Sequence, residues 1–303
     1  MMKVLVCDPI AQTAVDKMKA AGLEVVEKTD LSPEELVETI GGYEAAVVRS
    51  ATKLRANVLE AAKNLKLVVR GGVGLDNIDL NKAKELGIEV RNTPAASSAS
   101  VAELAIAHMF SLSRYIFASN LTMKMGKWNK KHYKGIELGG KTLGIVGIGR
   151  IGQELAKRAF ALGMNIIAFD KFIKESPLPD VVKMVDFDYL LANSNYVSLH
   201  IPFIKAEGPT IGAEELKKMR KDAYLINCAR GGAVDEAALV KALDNDQIAG
   251  AGVDVYEEEP PGKSPLIIHP KVSITPHIGA STLEAQVRVG EELSDIIIEF
   301  SKK

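Results

Sequence analysis

The sequence predicts an α/β protein with two doubly wound domains, each built on a parallel β-sheet. Short apolar runs rich in β-branched residues alternate with segments of helical periodicity along most of the chain, and this alternation is typical of parallel strands joined by crossover helices. The chain has 303 residues, whereas a single hydrophobic core usually stops growing at roughly 250–300 residues. We therefore expect two domains.

The first predicted domain contains a series of short strands with helices between them. The strands are expected at residues 4–7, 23–26, 45–48, 67–69 and 88–90. Ala14, Val15 and Met18 recur at helical spacing and predict the first helix. The second helix is expected to open at residues 32–35, where a capping hydroxyl is followed by proline and two acidic residues.

After this domain, Thr93 and Pro94 with the small residues that follow them predict a hinge. A longer helix containing Val101 and Leu112 comes next. A second set of strands is expected at residues 143–146, 166–169, 196–199, 224–226, 252–253 and 272–275. The last helix carries an apolar stripe formed by Val289, Leu293, Ile296, Ile297 and Phe300. Such a stripe needs another apolar surface to pack against.

The overall composition excludes several classes of partner. The 38 Lys and Arg residues are balanced by 39 Asp and Glu residues, for a net charge of −1, so there is no general attraction to nucleic acid or to an anionic membrane. No stretch approaches about 18 consecutive apolar residues and the N-terminus begins with a strand pattern, so we expect a cytoplasmic protein. Cys7 and Cys228 lie in apolar runs and are expected to be buried free thiols. No metal site is expected.

A glycine-rich segment at residues 147–152, Gly-Ile-Gly-Arg-Ile-Gly, directly follows a predicted strand and opens a predicted helix. In this context the first glycine permits a tight turn, the second lets the backbone approach a pyrophosphate, and the third lets helix and strand pack closely. The helix N-terminus adds unpaired N–H groups and the positive end of the helix dipole. The segment therefore predicts a dinucleotide site rather than a purely structural turn.

Asp170 indicates which dinucleotide is bound. It ends the next predicted strand, 18 residues after Gly152, close to the spacing of about 20 at which an acidic side chain binds the adenosine ribose hydroxyls. Its carboxylate would repel a 2′-phosphate, so Asp170 favours NAD over NADP. Lys171 could weaken that preference by offering a cation to the phosphate.

Ionisable residues follow several strands of the second set. Because ligands bind at the carboxyl ends of the strands in an open parallel sheet, we expect Arg230, Asp254 and His277 to share one edge. Arg230 precedes two glycines and is expected to hold a carboxylate with paired hydrogen bonds; a surface ion pair is the alternative. His277 suits proton transfer near neutral pH. Glu259 is its expected carboxylate partner, although spacing alone leaves the choice within residues 257–259 open.

The other histidines are interpreted more simply. His200, at a strand end, is expected near the cofactor. His108 is expected to pack within its helix, and His132 and His269 are expected to lie in solvated loops.

Taken together, these segments resemble the D-isomer-specific 2-hydroxyacid dehydrogenase family over essentially the full chain. The resemblance rests on residues 48–53, 72–79, 147–152, 227–232, 254–261 and 276–282. It implies that Arg230, Glu259 and His277 are catalytic, with Glu259 chosen because it immediately precedes a proline. It also implies a flavodoxin-like substrate domain of residues 1–95 plus 284–303 and a Rossmann NAD-binding domain of residues 96–283.

The resemblance further implies which residues contact ligands. The cofactor positions are Val73, Gly147, Gly149, Arg150, Ile151, Gly152, Asp170, His200, Ile201, Pro202, Cys228, Ala229, Arg230, Asp254, His277, Ile278, Gly279 and Ala280. Asp254 would orient the nicotinamide carboxamide. The substrate positions are Arg49, Ser50, Lys53, Gly72, Val73, Gly74, Arg230 and His277. Backbone N–H groups of residues 72–74 would bind the substrate carboxylate, and Lys53, with Lys130 or Lys131 of a second subunit, would reach a phosphate.

The implied reaction is NAD-dependent oxidation of 3-phospho-D-glycerate to 3-phosphohydroxypyruvate, at the start of the phosphorylated route to L-serine. A reductase for glyoxylate, hydroxypyruvate or another D-2-hydroxy acid is the alternative, and an NADH-sensing corepressor-type protein is a more distant one. An arm at about residues 101–133 would form a homodimer, with a tetramer left open.

The sequence also departs from the family in two places. Residues 204–210 lack the usual threonine-and-leucine run. Many members continue into a serine-sensing domain, whereas this sequence ends at Lys303, so no feedback through such a module is expected.

Overall fold

The computed structural model describes all 303 residues and divides into two compact units. Unit 1 comprises residues Met1–Ser97 and Ala280–Lys303, and unit 2 comprises residues Ser98–Gly279. The boundaries expected from the sequence lay two and four residues away from these. Both units contain a parallel sheet, so the predicted fold class is confirmed.

Unit 1 is organised around a five-stranded parallel sheet in the order β2-β1-β3-β4-β5. The strands are β1 (Lys3–Val6), β2 (Glu24–Glu27), β3 (Ala45–Val48), β4 (Leu67–Arg70) and β5 (Glu89–Asn92). The helices between them are α1 (Gln12–Ala20), α2 (Pro33–Ile40), α3 (Ala56–Ala61) and α4 (Leu80–Glu85). Such a strand order is that of flavodoxin-like sheets.

Two helix starts in unit 1 show how local sequence fixes an element. Ser32 accepts a hydrogen bond from Glu35 N at 3.2 Å while Glu35 accepts one from Ser32 N at 2.8 Å, which is the reciprocal capping box that the sequence predicts. Asp79 caps α4 by accepting a bond from Lys82 N at 3.0 Å. The short helix α4 was missed in the sequence because it has only one buried residue, Ala83.

Unit 2 contains a seven-stranded parallel sheet in the order β12-β11-β10-β9-β6-β7-β8. Its strands are β6 (Thr142–Val146), β7 (Asn165–Phe169), β8 (Val182–Met184), β9 (Tyr196–Leu199), β10 (Tyr224–Asn227), β11 (Gly250–Val253) and β12 (Val272–Ile274). The strand order reverses between β6 and β9, which is the crevice where Rossmann sheets bind dinucleotides.

Helices cover the sheet of unit 2. They are α5 (Ser98–Arg114), α6 (Ile116–Lys124), α7 (Arg150–Ala161), α8 (Phe187–Asn193), α9 (Ala213–Lys218), α10 (Glu236–Asp244) and α11 (Pro265–Ile268), with a 3-10 turn at Lys130–His132. Strand β8 was not predicted, because it has three residues at the sheet edge and includes the exposed Lys183.

The last helix, α12 (Leu283–Phe300), returns to unit 1. Its Leu293 and Ile297 are fully buried in one core cluster with Val4 and Val6 of β1. The alternate β1 residue Leu5, together with Cys7, lies in the cluster on the opposite face, because successive strand side chains point to opposite sides of a sheet. The apolar stripe of α12 therefore finds its partner surface in unit 1.

The state of the cysteines agrees with the sequence prediction. Cys7 and Cys228 are both free and buried. Among the helices of the structure, none combines the length and the apolar character that crossing a membrane requires.

Candidate active site

The carboxyl edge of the unit 2 sheet gathers most of the predicted site residues. Asp170 follows β7, His200 follows β9, Arg230 lies just beyond β10, Asp254 follows β11 and His277 lies just beyond β12. All neighbouring strands are parallel, so these ends meet on one side of the sheet. Val73 and Ala280, which were also assigned to the cofactor, belong to unit 1.

His277 and Glu259 form a hydrogen-bonded pair at this edge. The distance between His277 Nδ1 and Glu259 Oε2 is 2.7 Å, and both side chains are partly accessible, at 42% and 39%. The other carboxylate oxygen, Oε1, accepts a bond from Tyr256 N at 3.1 Å. Among residues 257–259, Glu259 is therefore the glutamate that faces the histidine.

The surroundings of Glu259 favour its ionised form. Burial raises the pKa of the Glu259 carboxyl, but the hydrogen bond and charge of His277, the Tyr256 N–H and the charge of Arg230 together hold the pKa below its usual range. The Arg230 cation makes the smallest of these contributions to the lowering of the Glu259 pKa. The structure thus brings all three predicted catalytic side chains into one neighbourhood.

A close backbone approach brings the turn after Arg230 against Tyr256 and Glu257, in the segment that carries Glu259. A side chain at Gly231 would collide with the carbonyl oxygen of Tyr256, so only glycine lets the two segments touch here. Arg230 also donates from Nη1 to its neighbour Ala229 O at 2.6 Å. The glycine that follows Arg230 therefore has a definite steric role.

Asp254 holds the turn that carries His277. It is 1% exposed, and it accepts hydrogen bonds from Ile278 N at 2.8 Å, Gly279 N at 2.9 Å and Thr275 Oγ1 at 2.6 Å. His277 itself adopts a left-handed backbone conformation with φ of 53°, which is uncommon for a residue with a side chain and is found at functional sites. Asp254 thus fixes a strained turn, a role that sequence reasoning did not assign to it.

His108 is more than the helix-packing residue expected from the sequence. It is 2% exposed, and its Nδ1 and Nε2 lie 2.9 Å from Ser273 Oγ and 3.1 Å from Thr275 Oγ1. The sequence places Ser273 and Thr275 on one face of a strand, because they are two residues apart, but it does not identify His108 as their partner.

The glycine loop after β6 has the shape that a dinucleotide requires. Gly147 has a φ of 95°, and a side chain at Gly152 would collide with the Gly147 carbonyl oxygen. By contrast, a Cβ at Gly149 would meet no atom within 4 Å, so the space above it is open. A tight turn, a close helix and an open approach at the second glycine fit a pyrophosphate.

Besides its predicted role in binding a ribose, Asp170 forms hydrogen bonds with the backbone of this loop and of residues 172–173. Its Oδ2 accepts from Ile148 N at 3.0 Å, and its Oδ1 accepts from Phe172 N at 2.8 Å and Ile173 N at 3.0 Å. The neighbouring Lys171 is paired with Glu207 at 3.1 Å. The cation that could have weakened a preference for NAD is thus matched by a carboxylate from residues 204–210, where the sequence departs from the family.

Two more predicted cofactor residues, His200 and Cys228, are uncharged at neutral pH. His200 Nε2 lies 2.9 Å from Ser198 Oγ, whereas its buried Nδ1 has no partner. Burial lowers the pKa of His200 to about 4, so the ring is neutral at neutral pH. Burial, helped by the charge of Asp254, raises the pKa of the Cys228 thiol. That thiol therefore stays protonated and is not a nucleophile.

Unit 1 presents a second group of polar residues at the carboxyl edge of its own sheet. Arg70, which was not identified from the sequence, ends β4 and donates from Nη2 to Ser50 Oγ at 3.0 Å. The Arg49 backbone N–H is bound by Asp8, and the side-chain Nε of Arg49 is buried without a partner. Lys53 is exposed. Two arginines and a lysine thus lie close together in the fold of unit 1.

The loop at residues 72–74 differs in one respect from the expectation. Gly72 N already donates to Thr93 Oγ1 at 2.8 Å, so it is not available to a ligand. The backbone N–H groups of Val73 and Gly74 have no partner in the protein. Two of the three expected donors therefore remain.

Comparison with known proteins identifies the family. The family model described as the D-isomer specific 2-hydroxyacid dehydrogenase, NAD binding domain, matches residues 106–279. This chain belongs to the D-isomer specific 2-hydroxyacid dehydrogenase family. The resemblance inferred from the sequence is confirmed.

Two relatives and one solved structure show how far the similarity extends. A D-3-phosphoglycerate dehydrogenase of Archaeoglobus fulgidus is 48% identical over 303 residues, covering 99% of this chain and 58% of the relative. A hydroxypyruvate reductase of Thermotoga maritima is 47% identical over 299 residues, covering 97% of each protein. The crystal structure of a D-lactate dehydrogenase from Aquifex aeolicus, complexed with NAD and lactic acid, has a TM-score of 0.86 at 30% identity and covers 99% of this chain and 95% of its own. The chain thus spans little more than half of the phosphoglycerate dehydrogenase but nearly all of the reductase.

Proposed function

We propose that this protein binds NAD and oxidises 3-phospho-D-glycerate to 3-phosphohydroxypyruvate, as in the phosphorylated route to L-serine. The observation that carries the proposal is the 2.7 Å hydrogen bond between His277 and Glu259 at the carboxyl edge of the unit 2 sheet. Arg230 stands near this pair and the glycine loop lies on the same edge. A proton acceptor, an anion-binding group and a dinucleotide loop are the parts that such an oxidation needs.

His277 is the proposed proton acceptor. Since Nδ1 faces Glu259, Nε2 is the nitrogen that can take the hydroxyl proton of the substrate. Ionised Glu259 then stabilises the imidazolium, as a carboxylate does in other histidine-carboxylate pairs. Bound NAD supplies the hydride acceptor for the hydrogen on C2. Loss of the proton and the hydride leaves a C2 carbonyl, and the reverse transfers reduce a 2-oxo acid.

Charged groups hold the substrate in this proposal. Arg230 binds the carboxylate and the C2 oxygen with paired hydrogen bonds. The free N–H groups of Val73 and Gly74 bind the other carboxylate oxygen. Arg49, Ser50 and Lys53 then contact the phosphate end, and the structure adds Arg70 to these candidates because it touches Ser50.

NAD is the proposed cofactor rather than NADP. The carboxylate of Asp170 repels a 2′-phosphate, and Glu207 pairs with Lys171, the cation that follows Asp170 in the sequence. Because Lys171 and Glu207 are both exposed, we expect a change at this ion pair to alter the preference for NAD easily.

A homodimer is proposed through the arm at about residues 101–133. Helix α6 has no buried residue, and the large apolar side chains Phe117 and Trp128 are 72% and 77% exposed. Exposed apolar patches of this kind indicate a protein contact. Lys130 and Lys131 are exposed in the same arm and would be the residues offered to a second subunit.

Reduction of hydroxypyruvate or glyoxylate is the second candidate. It is favoured by one observation: the hydroxypyruvate reductase relative is 47% identical over 299 residues, almost the same as the 48% identity of the phosphoglycerate dehydrogenase over 303 residues. The two candidates share the hydride and proton steps. They differ in whether the cations of unit 1 bind a phosphate.

A panel of substrates separates these candidates. kcat/KM should be measured with 3-phosphoglycerate, D-glycerate and D-lactate in oxidation and with phosphohydroxypyruvate, hydroxypyruvate and glyoxylate in reduction. A preference for the phosphorylated pair supports the proposed function, and a preference for hydroxypyruvate or glyoxylate supports the second candidate. NADH binding without turnover of any acid would contradict both and indicate a sensing protein.

A further inference from the structure

His108 lies inside unit 2 at a place prepared for it by a neighbouring glycine. A Cβ built on Gly252 of β11 would lie 2.7 Å from the Cβ of His108 and 3.0 Å from its Cγ. Any side chain at position 252 would therefore displace the imidazole from its site on α5. The strand glycine thus makes room for a buried histidine on the helix. A purely apolar contact between α5 and β11 would not require this combination.

The hydrogen bonds around His108 have a definite direction. An ionised carboxylate can only accept, so the 2.6 Å contact makes the Thr275 hydroxyl a donor to Asp254 Oδ1. The Thr275 oxygen must then accept from His108 Nε2–H across 3.1 Å. In the neutral ring the remaining nitrogen, Nδ1, is an acceptor, and it receives the Ser273 hydroxyl proton across 2.9 Å.

A neutral ring agrees with the burial of this histidine. Burial lowers the pKa of His108, and the charge of Asp254 opposes that change only in part. A protonated imidazole would carry a proton on both nitrogens. Such a ring would donate to the Ser273 oxygen as well as to Thr275, so the neutral form follows from burial, and the bond from Nε2 to Thr275 is the same in both forms.

The chain of bonds ends at the turn that presents His277. Asp254 accepts from Ile278 N and Gly279 N as well as from Thr275. These two backbone groups directly follow His277, whose φ of 53° is held against its own preference. A change in the orientation of Asp254 is therefore transmitted to the backbone of the proposed catalytic histidine.

We infer that His108 is a positioning residue for the His277 turn, acting through Thr275 and Asp254. It donates from Nε2 to Thr275, which directs the threonine proton to Asp254 and fixes the carboxylate against Ile278 and Gly279. The inference rests on the proposed function for its effect on catalysis, because it assumes that His277 moves a proton. The order of the hydrogen bonds does not depend on that assumption.

The first test compares two buried polar residues of α5. His108→Leu removes the chain of bonds, and Ser113→Ala is the matched control because Ser113 bonds Met109 O and the Tyr196 hydroxyl, both at 2.6 Å, away from the turn. Both variants should have a lower Tm. Only His108→Leu should lower kcat, by about tenfold, with the Kd for NADH changed by less than about threefold, because small misplacements of reacting groups slow the chemical step. An unchanged kcat in folded His108→Leu would overturn the inference.

The second test asks whether His108 acts through Thr275. Thr275→Val removes the hydroxyl, and Thr275→Ser keeps it. We expect Thr275→Val to lower kcat about as much as His108→Leu, Thr275→Ser to restore most of it, and the double variant His108→Leu/Thr275→Val to be no slower than the slower single variant. Additive losses of kcat would show that the two residues act separately and would contradict the inference.

The third test reads the hydrogen bonds without any turnover. Nitrogen-15 NMR of the imidazole rings at pH 7 should show His108 neutral, with the proton on Nε2 and a bare Nδ1; the His108→Gln variant assigns its signals among the 5 histidines. The opposite tautomer, with a bare Nε2, would overturn the inference even if the enzyme is active. If the unaltered protein turned over no 2-hydroxy acid, the proposed function would fail, whereas the NMR result would still decide the order of the bonds.

Discussion

Two turns at the same edge of the unit 2 sheet are shaped in different ways. The turn after β6 is shaped by its own residues, since Gly147 permits the backbone turn and Gly152 permits the close approach of the helix. The turn after β12 is shaped by side chains from elsewhere in the chain, namely Asp254, Glu259 and, through Thr275, His108. The cofactor loop is therefore local in sequence, whereas the catalytic turn depends on tertiary structure.

The largest expected effect is at the catalytic turn. His277→Ala should lower kcat by about 10²- to 10⁴-fold, which is the usual contribution of a positioned proton-transfer group, while the Kd for NADH stays nearly unchanged because the glycine loop is intact. Steady-state kinetics and a binding titration check the two parts. His269→Ala, which precedes β12 at the end opposite to His277, is the control and should keep full activity. Loss of NADH binding in His277→Ala would mean that the two turns are not independent.

A pH experiment tests the protonation state of His200, which lies beside Gly147 of the cofactor loop. Burial lowers the pKa of His200 to about 4, below the value of about 6.5 for an unfolded chain. Between these pH values the unfolded chain binds a proton that the folded chain does not, so the free energy of unfolding should decrease as the pH falls, by up to about 3 kcal/mol. His200→Gln should lose this part of the pH dependence in denaturant titrations from pH 7 to 4. Identical pH profiles for the two proteins would contradict the assignment.

Two glycines of the cofactor loop differ in the space around them, so the same substitution should have different effects at each. Gly152→Ala places a methyl group against the Gly147 carbonyl oxygen and should lower the free energy of unfolding by about 1–3 kcal/mol. Gly149→Ala meets no protein atom within 4 Å, so it should leave unfolding unchanged and weaken NADH binding instead. Urea titration and a binding titration separate the two. Equal losses of stability would show that the loop is not shaped by the third glycine.

The smallest effect is expected for cofactor choice. Glu207→Gln removes the charge that pairs with Lys171, and the freed ammonium group should raise kcat/KM for NADP relative to NAD by about two- to fivefold, since exposed ion pairs contribute little energy. Glu175→Gln, at an exposed carboxylate four residues after Lys171, is the control. An unchanged ratio of kcat/KM for NADP to that for NAD would show that Glu207 does not contribute to cofactor choice.

The difference between the two turns also explains what could be predicted from the sequence. Strand positions and the glycine loop followed from local patterns, because alternation, periodicity and glycine spacing act over a few residues. Short elements such as β8 and α4 were missed because they bury few residues. The position of Arg230, Glu259 and His277 on one sheet edge was deduced from the rule that parallel strands end together, but the choice of Glu259 needed either the family resemblance or the contact with His277 in the structure.

Three features could be recognised only in the structure, because they join distant parts of the chain. The bonds of His108 to Ser273 and Thr275 join α5 to β12. Thr93 occupies the N–H of Gly72, and Asp170 binds the N–H of Ile148. Side-chain contacts of this kind have no fixed spacing in the sequence, so composition and periodicity carry no information about them.

The most direct test of the proposed reaction is to follow the hydrogen atom on C2 of the substrate. 3-Phospho-D-glycerate carrying deuterium at C2 should be incubated with the protein and NAD, and the reduced cofactor analysed by mass spectrometry. The account predicts that the deuterium appears in NADH in step with the formation of 3-phosphohydroxypyruvate, and that His277→Ala slows both together. Absence of deuterium from the reduced cofactor, with this substrate and with the other 2-hydroxy acids of the panel, would contradict it.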